Sequence, residues 1–187
     1  MRHPELGDVI NTIINQLESV AIVHGLYGVG VSQGVSLCDM VRAISAAATN
    51  ITHVEIIPNI VCPDGHHVNL ATEEAIPVAL TLNELICNAA KHGQKTTAAN
   101  PITVTCTYRP KAVRIRIRNN FATLPPGFDF AAGKKLGTGL SLVRSLLSHA
   151  KADLSYSVEH DAVNAELSLY YPVVTLAHQD VSAGAAV

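Results

Sequence analysis

The sequence has no tryptophan, and aromatic residues make up only 4% of it. A core built from it must therefore be aliphatic, filled by Val, Ile, Leu and Ala, with Phe and Tyr as occasional wedges. A surplus of basic charge is also missing: the formal net charge is -2. That excludes an electrostatic footprint for nucleic acid and a polybasic patch for an anionic membrane. Charged residues are few, 15% against 48% hydrophobic ones, a balance that excludes an extended disordered chain. No apolar run approaches the roughly 20 residues that cross a bilayer, so no direct membrane contact is expected. The four cysteines, Cys38, Cys62, Cys87 and Cys106, form no CxxC pair and follow no secretory leader. They read as free thiols of a reducing compartment, and the expected location is cytoplasmic. At 187 residues the chain suits one well-buried domain with a small appendage.

What is present is periodic. Leu6, Ile10, Ile13, Ile14, Leu17, Val20 and Ala21 recur at three- and four-residue steps, which predicts an amphipathic helix over residues 4–27. Glycines at 25, 28, 30 and 34 interrupt it, and Ser36 then caps a second helical pattern through Leu37, Met40, Val41, Ile44 and Ala47. The two make a helical hairpin. Short β-type runs at 53–57 and 67–70, separated by Pro58, Pro63 and the Asp64-Gly65 turn signal, predict a β-hairpin. Thr72, with Glu73 and Glu74 behind it, is expected to cap a long helix that stops at Gly93. Residues 102–108 and 112–119 form the clearest strand pair, since Val113, Ile115 and Ile117 alternate with Arg114, Arg116 and Arg118. A long loop over 120–135 leads to a helix at 138–149 and to strands near 153–158 and 165–171. The tail after Pro172 is expected to fray. The order implies an α+β fold, a mixed sheet packed against helices and preceded by the hairpin.

Two stretches carry chemistry. In LTLNELICNAAKH, residues 80–92, a stripe of Leu82, Leu85, Ile86 and Ala89 must face the core, while Glu84, Asn88 and Lys91 share the opposite side. An ordinary solvated polar face would give the same pattern, but asparagine in mid-helix costs propensity and asks for a reason. In Gly137-Thr138-Gly139-Leu140 a helix opens after the loop, with Lys134 and Lys135 just ahead. Glycines there let backbone N–H groups approach an anion, and the helix N-terminus favours phosphate. A plain tight turn is the commoner meaning of such a pair taken alone.

Together, and in this order, the two stretches resemble the GHKL ATPase superfamily, specifically histidine kinase catalytic domains, over roughly residues 50–172. The NELxxNAxKH form and the later LPPGFD, residues 124–129, are similar to the HWE-related branch. The resemblance implies the α/β sandwich of the Bergerat type, with ATP as substrate and Mg2+ as cofactor. It makes Asn88 the metal ligand and Glu84 the acidic residue that orients water or removes a proton from the attacking group. Lys91, His92, Lys135, Gly137, Thr138 and Gly139 would meet phosphate, and Leu140 would pack behind. Where the family has Asp-x-Gly-x-Gly, this chain has Asn119, Phe121 and Thr123. Asn119 then becomes the adenine reader, a neutral and weaker acceptor than aspartate, and the two bulkier residues stiffen the expected lid hinge.

The same resemblance divides the chain into a partial dimerisation hairpin (1–50), an ATP-binding catalytic domain (51–172) and a tail (173–187). It implies a homodimer in the full-length protein and a response regulator as partner. No phosphoacceptor-type phrase is present, so the chain reads as a fragment that does not phosphorylate itself. His24 matches a position that is not the phosphorylated one, and His3 lies at the terminus. Cys62, His66 and His67 do not make a zinc site, since adjacent strand residues point to opposite faces. The alternative reading is a degenerate, non-catalytic kinase-like module acting through protein contacts, and a serine kinase of the anti-sigma type is a third.

Overall fold

The computed structural model describes residues 4–27, 34–60, 66–93, 101–109, 111–148 and 150–178. Helices α1 (Pro4–Tyr27) and α2 (Leu37–Thr52) precede strands β2 (Ile56–Ile60) and β3 (His66–Leu70), with a two-residue β1 (Val35–Ser36) before α2. Then come the central helix α3 (Thr72–His92), the strands β4 (Ile102–Arg109) and β5 (Ala112–Asn120), helix α4 (Thr138–Leu147), and β6 (Ala152–Glu159), β7 (Ala162–Tyr170) and β8 (Val174–His178).

Five strands form one mixed sheet in the order β2-β4-β5-β7-β6, with β2 parallel to β4 and the rest antiparallel. Its inner face is aliphatic: Ile102 and Val104 on β4, Val113, Ile115 and Ile117 on β5, and Leu167 and Leu169 on β7 are all buried. Alternate residues on β5, Arg114 and Arg116, turn to the outer face and meet Glu166 on β7 at 3.1 and 2.9 Å. The inner face packs with α2 and α3 into one hydrophobic cluster that also takes Val23 from α1. Asparagines aside, this two-layer division follows the period-two pattern of the strands and the helical stripes.

Three sequence expectations are corrected. Residues 56–60 and 66–70 do not form a hairpin: β2 joins the five-stranded sheet beside β4, while β3 sits in a separate three-stranded sheet of order β1-β3-β8. The tail does not fray at Pro172, because β8 pairs with β3 from Leu70↔Val174 to His66↔His178, and Val173 and Val174 are buried. Thr72 is the first helical residue instead of the cap; Ala71 holds the N-cap position and supplies no side-chain bond. The hydrophobic cluster runs without a break across residues 50 and 172, since Leu37, Met40, Val41 and Ile44 of α2 and Val174 of β8 belong to it. Ser36 does cap α2, its Oγ accepting from the Asp39 N–H at 3.3 Å. On α1 the stripe divides: Ile10, Ile13, Ile14 and Leu17 are exposed, and Ser19 and Val23 provide the buried contacts.

Candidate functional site

Helix α3 is the backbone of the site. Its segment from Thr81 to Ile86 is buried all round, so the row Glu84, Asn88, Lys91 is not the solvated face of a surface helix. The row instead opens on a cavity of about 650 Å3 between α3, the start of α4, the loop 121–137 and the inner face of the sheet. Exposure rises along it: Glu84 is buried, Asn88 is intermediate, and Lys91 and His92 reach the rim. A carboxylate, an amide and two basic groups are thus graded from floor to mouth.

The opposite wall is the first turn of α4. Gly137 is its N-cap, with extended backbone (φ -78°, ψ 177°) and no side-chain cap bond. The unpaired N–H groups of a helix start are an anion-favouring surface, and here Gly137, Thr138 and Gly139 line the cavity. Lys135 (φ 58°) brings its side chain to the same wall. Lys134 is not among the lining residues, and it closes a small bridge with Asp129, their backbones exchanging bonds of 2.8 and 3.1 Å. The loop is tied down at two more points. Phe128 stacks edge-on to Tyr156 of β6 with centroids 5.0 Å apart, and Arg144 of α4 donates to the Ala131 carbonyl at 3.1 Å.

Asn119 ends the inner face of β5 at the cavity and is only 3% exposed. Its Nδ2 donates to the Ala89 carbonyl of α3 at 2.6 Å. That bond fixes the amide, and it leaves Oδ1 buried with no partner. A buried acceptor without a donor is uncommon and costly, and this one belongs to a residue of the cavity wall. Two residues later Phe121 takes a left-handed conformation (φ 59°), and its N–H bonds the Asp161 carbonyl.

The electrostatics centre on Glu84. Burial pushes its carboxyl above the usual glutamate range, and the Lys91 ammonium pulls partly back. Burial also raises the Tyr156 phenol, with the Glu84 charge adding to the effect, and lifts the Cys87 thiol to about 11 for the same two reasons and the charge of Glu18. Glu84 therefore stands near Lys91 and Cys87 of its own helix and Tyr156 of β6, and its carboxylate rests against Gly139 of α4.

All ten residues singled out from the sequence, Glu84, Asn88, Lys91, His92, Asn119, Lys135, Gly137, Thr138, Gly139 and Leu140, surround this one cavity. Sequence reasoning missed Tyr156, Phe128, Ile13 and Gln16, which also line it. Strand parity could have placed Tyr156 inward with Leu154, but only once β6 was paired with β7. His24 lies outside the cavity, near the end of α1, with its ring 6.2 Å from that of Tyr27. His3 and Cys62 fall outside the described residues, as do the side chains of His66 and His67. No group of three metal-ligating side chains is found among the described residues, and no described helix is long and apolar enough to cross a membrane.

A mixed sheet covered on one face by helices, with a cavity between a central helix and a glycine-flanked helix start, defines a sandwich of the GHKL ATPase type. The histidine kinase-like ATPase domain family matches residues 60–164, and the chain belongs to it. Among solved structures it is similar to the histidine kinase domain of the Erythrobacter litoralis EL346 blue-light activated histidine kinase, with a TM-score of 0.70 at 14% identity over 85% of this chain and 74% of that one. The catalytic domain of histidine kinase ThkA superposes with a TM-score of 0.58 at 15% identity, over 72% of this chain and 92% of the other. The Acinetobacter baumannii histidine kinase AdeS gives 0.58 at 12% identity, over 87% and 79%. At such identities these likenesses concern the fold. No curated protein sequence matches the chain.

Proposed function

We propose that the cavity binds Mg-ATP and presents its γ-phosphoryl group for transfer to a histidine on a dimerisation helix, as part of two-component signalling. The observation that carries the reading is the ring of residues: an acid, an amide, a lysine and a histidine at the rim, and an uncapped, glycine-flanked helix start around one space of about 650 Å3, within the usual range for a small-molecule site.

Asn119 stands at the base end of the cavity. Its Nδ2 is committed to Ala89, and its Oδ1, buried in this structure, would accept from the exocyclic amine of adenine once a small shift of the wall uncovers it. Ile117, Val163 and Ala165 supply the apolar floor on which a ring can lie. The α4 turn and Lys135 receive phosphate oxygens through backbone N–H groups and a cation, with Lys91 and His92 at the rim. Phosphoryl transfer asks mainly for position and charge neutralisation, and these groups provide both.

The donor set suits magnesium. Asn88 offers one hard neutral oxygen, too few for an all-protein cage, and Mg2+ keeps waters and phosphate oxygens for its remaining positions. Asn88 would hold it, and when bound it would supply charge neutralisation at the phosphates. Glu84, raised in pKa by burial, is placed to hold a proton from the attacking group or to orient water. The response regulator and a homodimer of the full-length protein complete the proposed setting, with the nucleotide chemistry in the cytoplasm.

Titration with ATP, with and without Mg2+, tests the reading. Binding should strengthen with the metal, and Asn88→Ala should abolish that dependence, about a tenfold or greater loss corresponding to some 1.4 kcal/mol. Absence of binding at millimolar nucleotide would refute it and favour a non-catalytic module that acts through protein contacts.

A further inference from the structure

We propose that Gly139 is a positioning residue for Glu84: its bare Cα is the seat against which the carboxylate rests, so the first turn of α4 sets where that carboxylate points in the cavity. The inference rests on the nucleotide reading for its consequence in catalysis, though not for its geometry.

The two glycines around Thr138 look alike in sequence and differ in surroundings. A Cβ added at Gly137 would meet nothing within 4 Å. A Cβ at Gly139 would overlap Glu84 Oε2 outright, with Cδ at 2.6 Å and Oε1 at 3.0 Å. Backbone conformation does not explain either glycine, since Gly137 is extended (φ -78°) and Gly139 lies within α4. What Gly139 supplies is room, and the carboxylate of the proposed general base fills it.

The obstructing atoms are the end of a flexible side chain. An added methyl is therefore accommodated by swinging the carboxylate, with little movement of backbone, and the effect falls on the chemistry of Glu84 more than on the fold. Several ionisable groups share its surroundings: Lys91 and Cys87 on α3, Tyr156 on β6, and Lys135 at the α4 wall. A carboxylate moved off its seat leaves the buried floor and meets more water, which lowers its pKa. It also loses the alignment on which general-base action depends, where small misplacements have large effects.

The experiment follows the Glu84 carboxyl carbon by NMR against pH in the whole chain without nucleotide, in the native sequence, in Gly139→Ala and in Gly137→Ala. Gly139→Ala should move the Glu84 midpoint down toward the ordinary glutamate value, and Gly137→Ala should leave it in place. An unchanged midpoint in Gly139→Ala overturns the proposal. With nucleotide and a histidine-bearing dimerisation helix supplied in trans, Gly139→Ala should lower phosphoryl transfer about tenfold while changing nucleotide affinity less than about threefold, the split expected when an interaction made in the transition state is lost. Equal losses in both would also overturn it. Should Gly139→Ala fail to fold, adding Glu84→Ala removes the obstructing group and must restore folding; failure of that rescue counts against the proposal. If no variant binds nucleotide, the kinase reading fails while the titration still decides this one.

Discussion

Replacing Asn119 with aspartate restores the residue type of the family motif, and the structure says it should weaken the protein. The Asn119 Nδ2 donates to the Ala89 carbonyl at 2.6 Å, in a residue 3% exposed. In Asn119→Asp the donor is gone and an ionised oxygen confronts that carbonyl. Losing a buried bond and orphaning its acceptor costs about 1–3 kcal/mol, and leaving an uncompensated charge there adds to it. We expect a deficit of about 3 kcal/mol near pH 8, which for a chain of this size is roughly 6–12 °C of melting temperature. The carboxyl escapes by taking a proton, so its folded-state pKa rises above the unfolded value. Its protonated form can donate to the Ala89 carbonyl again, so the stability it contributes is present at acid pH and is lost as pH rises through the folded-state value. The gap from the native protein should therefore narrow as pH falls.

Thermal unfolding followed by circular dichroism at pH 8 and pH 5 measures both effects. Asn119→Leu is the control: it removes the donor without introducing charge, so its deficit of about 1–3 kcal/mol should not vary with pH. An Asn119→Asp protein that melts within a degree of the native one at pH 8, or whose deficit is the same at both pH values, would refute the reasoning.

Two further outcomes follow from the same geometry. Burial raises the Glu84 carboxyl above the usual glutamate range, and a raised carboxyl pKa means stability that is full below the unfolded value and lost as pH rises through the folded one. Glu84→Gln should accordingly melt higher than the native chain at pH 7.5 and converge with it near pH 4, while losing phosphoryl transfer to a histidine-bearing helix supplied in trans; an equal or lower melting point at pH 7.5 would contradict the burial argument. Phe121 sits at φ 59° with its ring exposed, a conformation costing a non-glycine residue about 1 kcal/mol or more. Phe121→Gly relieves that cost and returns part of it as unfolded-chain entropy, for a net gain of about 0.5 kcal/mol in urea unfolding. Phe121→Ala keeps the strain and should gain nothing.

The parts of the fold set by local physics were readable. The β4–β5 pair showed itself through the alternation of Val113, Ile115 and Ile117 with arginines, and α2 through Ser36. Partners distant in sequence were not. Asp64-Gly65 between two short apolar runs has the chemistry of a hairpin turn, yet β2 finds β4 and β3 finds β8, more than forty and about a hundred residues away. Nothing within 174–178 distinguishes a strand from a tail until β3 is there to receive it. Burial of Glu84 was equally hidden, because a polar row on a helix reads as solvent-facing unless one knows that a loop and a second helix close over it. The site residues came from motif resemblance, and the structure brings them around one cavity. The aromatic anchor of Phe128 on Tyr156 depends on the register of β6 against β7, which no local pattern carries.

The segment that departs from the family pattern can be weighed in the same terms. Phe121 follows a left-handed path that a glycine would follow without strain, so the bulkier residue alters the cost of the turn more than its course. Asn119 keeps an acceptor at the end of β5 only because its other amide atom is held by Ala89. A neutral acceptor contributes about 1 kcal/mol where a charged one contributes about 1.5–3, so on the proposed nucleotide reading base recognition through Asn119 should be roughly two- to thirtyfold weaker than through a carboxylate. Exchanging the residue for aspartate would strengthen the acceptor and break the anchor that aims it. The two effects oppose one another at a single side chain: if the cavity takes a nucleotide as proposed, the gain in acceptor strength is set against the loss of the bond that ties the cavity wall to α3.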